Sequence, residues 1–439
     1  INESKRIVIL RQNSFSTNIN MDHVVKIKKG LDIQLEGIPS PKISNTPDSQ
    51  LYAIIPDDFV GLTPKVIVKP GEKVLTGSPV IHDKTHPNIV VTSPVSGEIV
   101  TIERGERRKV IKITIKPDAS QQALEFGRFD LENMDSSEIK DLLLKSGIFA
   151  FIKQRPYDIV ANPDTTPRDI FVTAFDSAPL APDYAFILKE EKQHFETGLK
   201  ALNKLTSGKV YVGISQRQPI DVKNATSVIF DGPHPAGNVG IQINHIAPID
   251  KGDTVWTMSA LDVLFIGRLF DKGIADFSRI VAVTGSEIDD PHYVRTRIGA
   301  SIASITQGMV KAVEYEQRYI SGNVLTGVKT DADGYIGATH SQITVIPEGN
   351  NYDEFLGWAS LNPHKYSTSH SYFSWLLGKK KKYTRIRGGE RAIIMSDEYD
   401  RVFPMDIYPE YLIKAILAFD IDKMENLGIY EVAPEDFAL

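Results

Sequence analysis

Short segments rich in β-branched residues, separated by Gly and Pro, constrain the first part of this chain most strongly. Between Val24 and Pro117 the sequence contains runs such as KVIVKPG, NIVVTSPVSG and KVIKITI. Closely spaced segments of this length, bounded by turn residues, are typical of small all-β barrels and sandwiches. The pattern therefore predicts an all-β domain over residues 21–118.

The turn residues of this domain indicate which kind of all-β fold it adopts. The pattern P-G-E-K-V-x-x-G-x-P-V at Pro70–Val80, followed by S-P-V-S-G-E-I-V at Ser93–Val100, resembles the barrel-sandwich hybrid of biotinyl and lipoyl domains. A carrier domain of that kind would be modified at Lys84. Lys84 lies nine residues before Ser93, which makes a longer hairpin than lipoyl domains use, so a solvent-exposed lysine is the favoured interpretation.

The hydrophobic pattern changes to an alternation of strands and helices over residues 119–278. Asp169–Phe175 and Lys209–Ile214 read as buried strands, and Glu190–Leu205 reads as a helix between them. Alternation of this kind predicts an α/β layer with a mostly parallel sheet. Ligands of such sheets usually bind at the carboxyl ends of the strands.

The remaining chain divides into a β-grasp module over residues 279–385 and a helical segment over residues 386–439. The fold class expected is therefore α+β with an α/β layer, in several domains. Residues 1–20 lack an initiating Met and precede the regular pattern, so we interpret them as an upstream extension or a cloning scar. The end of the sequence at Leu439 reads as a truncation.

Composition excludes several classes of site. The 439 residues include no cysteine, which excludes disulfides and Cys-ligated metal within this chain. A net charge of −6 gives no general electrostatic footprint for nucleic acid. Every apolar run is interrupted by charge, Gly or Pro, so membrane association is expected to be peripheral.

The missing cysteines matter most near Pro404. Bacterial ferredoxin-type clusters use the spacing C-x2-C-x2-C-x3-C-P, because each iron needs thiolate ligands. Counting this spacing back from Pro404 reaches Phe403, Tyr399, Ser396 and Ile393. None of these residues supplies a thiolate, so an iron–sulfur cluster is not expected here.

Eight motifs in a fixed order connect the chain from Met21 onward to a known family. They are IKKGLDIQLEG at Ile27–Gly37, PVSG at Pro94–Gly97, FVTAFDSAPLA at Phe171–Ala181, FDGPHPAG at Phe230–Gly237, RIGAS at Arg297–Ser301, ISGNVLTG at Ile320–Gly327, FLGW at Phe355–Trp358 and YDRVFPMDIYP at Tyr399–Pro409. The chain thereby resembles the A subunits of Na+-translocating NADH:quinone reductases.

This resemblance implies a peripheral subunit on the cytoplasmic face of the bacterial inner membrane. Such a subunit would assist quinone reduction coupled to sodium export. The resemblance implies that NADH is oxidised on another subunit and that sodium crosses through integral membrane partners. Quinone is then a substrate, and no metal, flavin or covalently bound cofactor is expected in this chain.

The order of domains is also similar to the C subunit of the Rnf complex and to the flavin-bearing peripheral protein of complex I. Those relatives bind flavin mononucleotide through a glycine-rich loop, G-R-G-G-A-G-F-P. The counterpart here is Ser146–Pro156, which keeps only Gly147. Bulky side chains at the other positions prevent the close backbone approach that a phosphate requires.

The same segment offers candidate quinone contacts. Phe149 and Phe151 supply aromatic surface, and Lys153 and Arg155 supply donors for quinone carbonyl oxygens. His234, in the loop DGPHPAG, is a further candidate because it could donate or relay a proton. The alternatives are that the two rings cap the core, that the basic pair is solvated, and that the His234 loop is a rigid turn.

A run of four lysines, Lys379, Lys380, Lys381 and Lys382, follows the aromatic residues Phe373 and Trp375. A solvated basic loop is the default interpretation. In a peripheral membrane protein the same run suits contact with anionic lipid or a membrane partner.

Two alternatives to quinone binding remain for the whole chain, a cofactor-free assembly scaffold and a Rnf-like electron-transport subunit. The missing cysteines oppose the second.

Overall fold

The computed structural model describes residues 24–350, 376, 382, 384 and 392–439. In these residues the strands are β1 Val24–Lys26, β2 Ser40–Asn45, β3 Tyr52–Ile54, β4 Pro64–Val66, β5 Lys73–Val74, β6 Pro79–Asp83, β7 Val90–Thr92, β8 Gly97–Arg104, β9 Val110–Pro117, β10 Lys153–Arg155, β11 Ile159–Val160, β12 Ile170–Thr173, β13 Val210–Ser215, β14 Thr226–Asp231, β15 Val255–Ser259, β16 Ser278–Thr284, β17 His292–Arg297, β18 Gln317–Ser321, β19 Val328–Thr330 and β20 Gln342–Pro347. The α-helices are α1 Ser136–Ser146, α2 Tyr184–Glu190, α3 Lys192–Asn203, α4 Val239–Ile246, α5 Ala260–Lys272, α6 Ile302–Ile305, α7 Glu398–Val402, α8 Pro409–Leu417 and α9 Ile421–Asn426.

Two small antiparallel sheets form the first domain. One has the strand order β3-β9-β8-β5 and the other has the order β4-β6-β7. The side chains that alternate inward are β-branched and fully buried, as at Ile81, Ile99 and Ile113. Their burial between two short sheets produces the barrel-sandwich arrangement that the Gly- and Pro-punctuated sequence predicts.

The first two strands pair outside this domain. β1 pairs in parallel with β14, with Val24 opposite Ile229. β2 pairs in parallel with β17, with Ser44 opposite Val294. The chain start therefore ties the α/β layer and the β-grasp module together, whereas the sequence pattern placed all of residues 21–118 in one all-β unit.

A seven-stranded sheet with the order β1-β14-β13-β12-β15-β10-β11 forms the α/β layer. The strands from β1 to β15 in this order are parallel to their neighbours. Along the chain the sheet grows from β12 through β13 to β14, and then returns to place β15 on the other side of β12. This reversal is a topological switch point, where two connections leave in opposite directions and open a crevice.

Local capping signals explain the ends of α1. Asp135 accepts a hydrogen bond from the backbone N–H of Glu138 (2.8 Å), and the Glu138 carboxylate accepts one from the N–H of Asp135 (2.9 Å). This reciprocal pair satisfies two donors that the first helical turn leaves open. Gly147 then ends the helix with a φ of 77°, a left-handed conformation that glycine adopts most easily.

One predicted helix is wrong in its bounds. The pattern predicts a single helix over Glu190–Leu205, but two helices, α2 and α3, meet at Glu191. Asp183 caps α2 by accepting a hydrogen bond from the N–H of Phe186 (3.1 Å). The chain bends at Glu191, whose carboxylate accepts a hydrogen bond from Arg268 of α5 (2.9 Å). A tertiary ion pair therefore stabilises a break that helical periodicity does not reveal.

The third sheet has the order β19-β18-β20-β16-β17-β2 and carries the short helix α6. The helical C-terminal segment packs against the α/β layer instead of standing apart. Phe403 and Leu412 are buried in one apolar cluster with Phe175 and Phe230, which follow or end strands of the large sheet. The predicted α+β multidomain fold class is thus confirmed. Within the described residues, no helix is long and apolar enough to span a bilayer.

Candidate functional site

The predicted aromatic pair belongs to the core. Phe149 and Phe151 lie in a single 3-10 turn after α1 and are 0% and 5% exposed. The ring of Phe149 packs edge-on against Trp256, with centroids 5.5 Å apart. Phe151 packs against Phe265 at 5.2 Å. Both rings are therefore packed against other aromatic side chains of the core.

The predicted basic pair is engaged in ion pairs. Lys153 contacts Asp158, with Nζ and Oδ2 3.0 Å apart. The Arg155 side chain is fully buried and its Nη2 donates to Glu435 Oε1 (2.7 Å), while Nη1 donates to Asp436 Oδ2 (3.3 Å). These contacts bind β10 to the C-terminal segment. The interpretation of Arg155 as solvated is wrong, because 0% of its side chain is exposed.

The other residues predicted for binding, His234 and the four lysines, lie in separate parts of the chain. His234 lies apart from the Phe149 segment, in a cavity described below, and the assignment of all five residues to quinone binding stays a prediction. Lys379, Lys380 and Lys381 lie outside the described residues. Lys382 is half-buried, and this burial lowers its pKa.

A cavity of about 200 Å³ opens at the carboxyl end of β12, next to the switch point. Three parts of the chain line it. The lining residues are Thr173, Phe175, Asp176, Ala178, Pro182, Tyr184, His234, Gly237, Asn238 and Val239 from the α/β layer, Gly322, Asn323, Thr326, Thr339, His340, Ser341 and Gln342 from the β-grasp module, and Glu435 from the C-terminal segment. The cavity therefore forms only when these three parts assemble.

Both histidines of the cavity are held by serine hydroxyls. His234 Nδ1 lies 3.0 Å from Ser177 Oγ, which accepts the backbone N–H of Gly237 (2.8 Å). His340 Nδ1 lies 2.8 Å from Ser321 Oγ, which accepts the N–H of Gly337 (2.9 Å). Each serine oxygen thus accepts one backbone hydrogen and can donate its own hydrogen to the imidazole. In the tautomer that carries hydrogen on Nε2, Nδ1 accepts from the serine and Nε2–H is a donor for a ligand.

The cavity keeps its donors neutral at physiological pH. Burial lowers the pKa of both His234 and His340 to about 4. Burial raises the pKa of Tyr184 to about 12, so its phenol stays protonated. The cavity thus presents hydrogen-bond donors without fixed positive charge, which suits a neutral carbonyl ligand better than a phosphate.

Two carboxyl groups with raised pKa values also line the cavity. Burial raises the pKa of Asp176, although its carboxylate accepts the N–H of Ala178 (2.7 Å). Burial also raises the pKa of Glu435 to about 7. A carboxyl that titrates near neutral pH can exchange protons with a ligand under working conditions.

A cluster of carboxylates elsewhere has a structural explanation. Oxygens of Asp397, Asp400 and Glu410 lie within 4.8 Å of one another, as a metal site would require. The Glu410 carboxylate, however, accepts both the backbone N–H (2.9 Å) and the hydroxyl (3.2 Å) of Ser396. It therefore stabilises the entry to α7, while Asp397 is exposed and Asp400 is partly buried.

The sequence pattern missed Tyr184, His340 and Glu435. The strand pattern does predict a ligand at the carboxyl edge of the large sheet. It does not show which distant loops cover that edge, because β-grasp loops and the C-terminal segment reach it only through tertiary packing. The P-E-D sequence at Pro434–Asp436 carries no recognisable motif.

Comparisons with known proteins agree with this architecture. Three family models match, described as the NqrA N-terminal barrel-sandwich hybrid domain over residues 25–118, the NqrA second alpha/beta domain over 134–275 and the NQRA C-terminal domain over 280–332. Chains named as the A subunit of Na(+)-translocating NADH-quinone reductase are similar over nearly their full length. The example from Serratia proteamaculans is 38% identical over 95% of this chain and 94% of its own. Those from Neisseria meningitidis (serogroup A) and Yersinia pestis are 36% identical with the same coverage.

Solved structures add no further argument. A NAD+-reducing NiFe hydrogenase in the air-oxidised state is 8% identical, covers 69% of this chain and 70% of its own, and gives a TM-score of 0.33. The hydrogen-reduced form gives 0.34.

The fold and the cavity define a multidomain α+β protein with a ligand cavity assembled between its domains. The full-length similarity then shows the family. The chain belongs to the A subunits of Na(+)-translocating NADH-quinone reductases.

Proposed function

We propose that this chain acts within a Na+-translocating NADH-quinone reductase and that its switch-point cavity receives the quinone headgroup. The observation that carries the proposal is the set of neutral donors, His234, His340 and Tyr184, around one cavity at the carboxyl edge of the sheet. A quinone headgroup needs donors for its carbonyl oxygens and an apolar contact for its ring. Phe175 lines the cavity and supplies apolar surface.

The size of the cavity supports a small ring. Sites for drug-sized ligands enclose roughly 300–1,000 Å³. A cavity of about 200 Å³ is smaller, so it suits one substituted ring and is too small for a dinucleotide. An isoprenoid tail of the quinone would extend out of the cavity towards the membrane partners.

Substitution of His340 by Ala tests this proposal. Loss of one donor to a quinone carbonyl should weaken binding of a quinone analogue to the purified chain by about 1–3 kcal/mol. Titration calorimetry measures the effect, with His82→Ala as the control because His82 lies in a hairpin of the first domain. Equal affinities of the two variants, with intact folds, would exclude His340 as a quinone contact.

Phe149, Phe151, Lys153 and Arg155 enter the proposal as supports of the site. Lys153 and Arg155 lie in β10, which pairs with β15, and Arg155 holds the C-terminal segment through Glu435. Phe149 packs on Trp256 of β15, and Phe151 packs on Phe265 of α5. Direct contact of a quinone with the two rings, as the sequence pattern predicts, is the alternative, and binding to Phe151→Leu distinguishes the two. Unchanged affinity of this variant favours the supporting role.

A second candidate function is that of an assembly scaffold without its own quinone site. The packed Phe149 segment favours it, because the loop that carries flavin in the similar Rnf and complex I proteins is filled by core side chains. Coupling to sodium export, the cytoplasmic face of the inner membrane and lipid contact through Lys379–Lys382 belong to the proposed assignment in either case. Quinone binding by the chain separates the two candidates.

A further inference from the structure

Two cations and three carboxylates meet where the C-terminal segment crosses β10. We refer to Lys153, Arg155, Asp158, Glu435 and Asp436 as the Arg155 cluster. Besides its contacts with Glu435 and Asp436, Arg155 has its Nε 3.4 Å from Asp158 Oδ1. Lys153 contacts the other oxygen of the same Asp158 side chain. The cluster carries one more carboxyl group than it has cations.

The groups that make up this excess of carboxyl groups over cations lie largely in the protein interior. The side chains of Arg155 and Asp436 are both 0% exposed. Full ionisation would leave one uncompensated negative charge in a region of low dielectric, which is costly unless a proton binds. The cluster is therefore built to hold one proton near neutral pH.

Asp436 shows a second sign of this proton. Its Oδ2 accepts the backbone N–H of Ala433 (2.9 Å) as well as the Arg155 contact. Its Oδ1 is buried and, within the described part of the chain, accepts no hydrogen bond of normal geometry, although the nearby Asn238 amide lowers the pKa of this carboxyl. An ionised oxygen in such a position is more costly to bury than a neutral one, which favours the protonated acid.

Glu435 connects the cluster to the cavity. Of the five groups, Glu435 alone lines the cavity, and its side chain is 35% exposed. The side chain of Asn238, at the start of α4, donates to the backbone carbonyl of Glu435 (3.2 Å) and fixes the segment. The neutral imidazole of His234 lines the same cavity. A proton shared by Glu435 and Asp436 thus has one route to a ligand.

We propose that the Glu435–Asp436 pair holds one proton and that Glu435 transfers it to a quinone oxygen during reduction. This inference rests on the proposed function. Quinone takes up two electrons, which derive from NADH oxidised elsewhere in the complex, and two protons. Glu435 supplies one proton as its O–H bond breaks and a quinone O–H bond forms, and solvent supplies the other.

Arg155 is placed to stabilise the Glu435 carboxylate that remains after this proton transfer. After transfer, the Glu435 carboxylate faces the guanidinium at 2.7 Å, which stabilises the new negative charge. The exposed third of the Glu435 side chain allows a proton to return from solvent. Burial raises the pKa of both carboxyls, and a shared proton belongs to the pair as a whole.

Glu435→Gln in the intact complex tests the transfer. Gln keeps the size and the neutral form, so the fold should persist while the transferable proton is lost. We expect the rate of quinone reduction to fall at least about 10-fold, as for removal of a general acid, and to lose its pH dependence near neutrality. Glu435→Asp, which retains a carboxyl, should recover part of the rate. The control is Glu425→Gln, a tail glutamate paired with Lys251 outside the cavity.

Infrared spectra of the purified full chain give a readout that needs no quinone. The wild type should show a protonated-carboxyl band that titrates near neutral pH and is lost in Glu435→Gln but kept in Glu425→Gln. Absence of that band in the wild type overturns the inference. A normal rate in Glu435→Gln, with quinone still bound in the cavity, also overturns it and leaves the proposed function intact. Failure of quinone to bind in the cavity removes the proposed function, and the transfer step with it.

Discussion

At the scale of single residues, burial decides which groups in the cavity carry charge. His234 is 3% exposed and its imidazole is neutral because the protein interior disfavours the charged form. Its contact with Ser177 adds a hydrogen bond that the neutral ring satisfies. The sequence singled out His234 through its Pro- and Gly-rich loop. It could not show that His340, distant in the chain, has a serine partner of its own, Ser321, and a similarly lowered pKa.

The lowered pKa of His234 predicts a loss of stability in acid. The folded-state pKa of about 4 lies below the ordinary value of 6.5, so the unfolded chain binds more protons between these two pH values. The stability contribution of neutral His234 is complete above pH 6.5 and is lost as the pH falls towards 4. The expected loss is about 3 kcal/mol, since one pKa unit corresponds to about 1.36 kcal/mol.

Denaturant unfolding of wild type and His234→Asn between pH 7 and pH 4 measures this contribution. The buried carboxyls with raised pKa values, Glu435 and Asp436, act in the opposite direction, because they gain stability as the pH falls. The difference between wild type and variant removes their effect. That difference should decrease with acidification, and a constant difference would contradict a buried neutral imidazole. His82→Asn provides the same chemical change outside the cavity.

At the scale of secondary-structure elements, some helix ends depend on residues near in sequence and others on distant contacts. Asp135 caps the start of α1 and Gly147 caps its end, and capping depends on residues near in sequence. The break at Glu191 depends on Arg268, which lies in another helix. The burial of Arg155 likewise depends on two carboxylates at the other end of the chain. Elements determined by distant charges were therefore the ones the sequence did not predict.

Arg155 joins β10 to the C-terminal segment, and its removal should destabilise both. Arg155→Met leaves the buried carboxylates uncompensated, and we expect the free energy of unfolding to fall by about 3–5 kcal/mol. Lys153→Met, a change at a partly exposed single pair, should cost no more than about 1 kcal/mol. Chemical denaturation measures both. Adding Glu435→Gln and Asp436→Asn to Arg155→Met should restore part of the stability, and a purely additive loss would contradict the cluster.

The packing of α3 against α5 depends on glycine. A Cβ placed on Gly267 would lie 1.7 Å from the backbone oxygen of His194. Ala is favoured over Gly in a helix by about 1 kcal/mol, but overpacking against backbone costs about 1–3 kcal/mol and the helices must separate. We therefore expect Gly267→Ala to lower the melting temperature of the chain. A higher melting temperature would show that the two helices separate easily, and Lys200→Ala on the exposed face of α3 controls for helix propensity.

At the scale of the whole molecule, the order of domains was predictable and their assembly was not. Periodicity and turn residues indicated an all-β unit, a parallel α/β layer, a β-grasp module and a helical segment. The pairing of β1 with β14 and of β2 with β17 joins strands that are distant in sequence, so the sequence pattern within these strands does not predict it. The cavity arises from the same assembly, because three separate parts of the chain line it. The site is thus a property of the folded whole.

Photoaffinity labelling of the intact complex with an azido-quinone tests the central claim most directly. The claim predicts label in peptides that contain the cavity residues Tyr184, His234 and His340, and loss of that label when unmodified quinone competes. Peptide mass spectrometry locates the modified residues. Competable label confined to other surfaces of this chain or to other subunits, with these three peptides unmodified, would contradict a quinone site in the cavity.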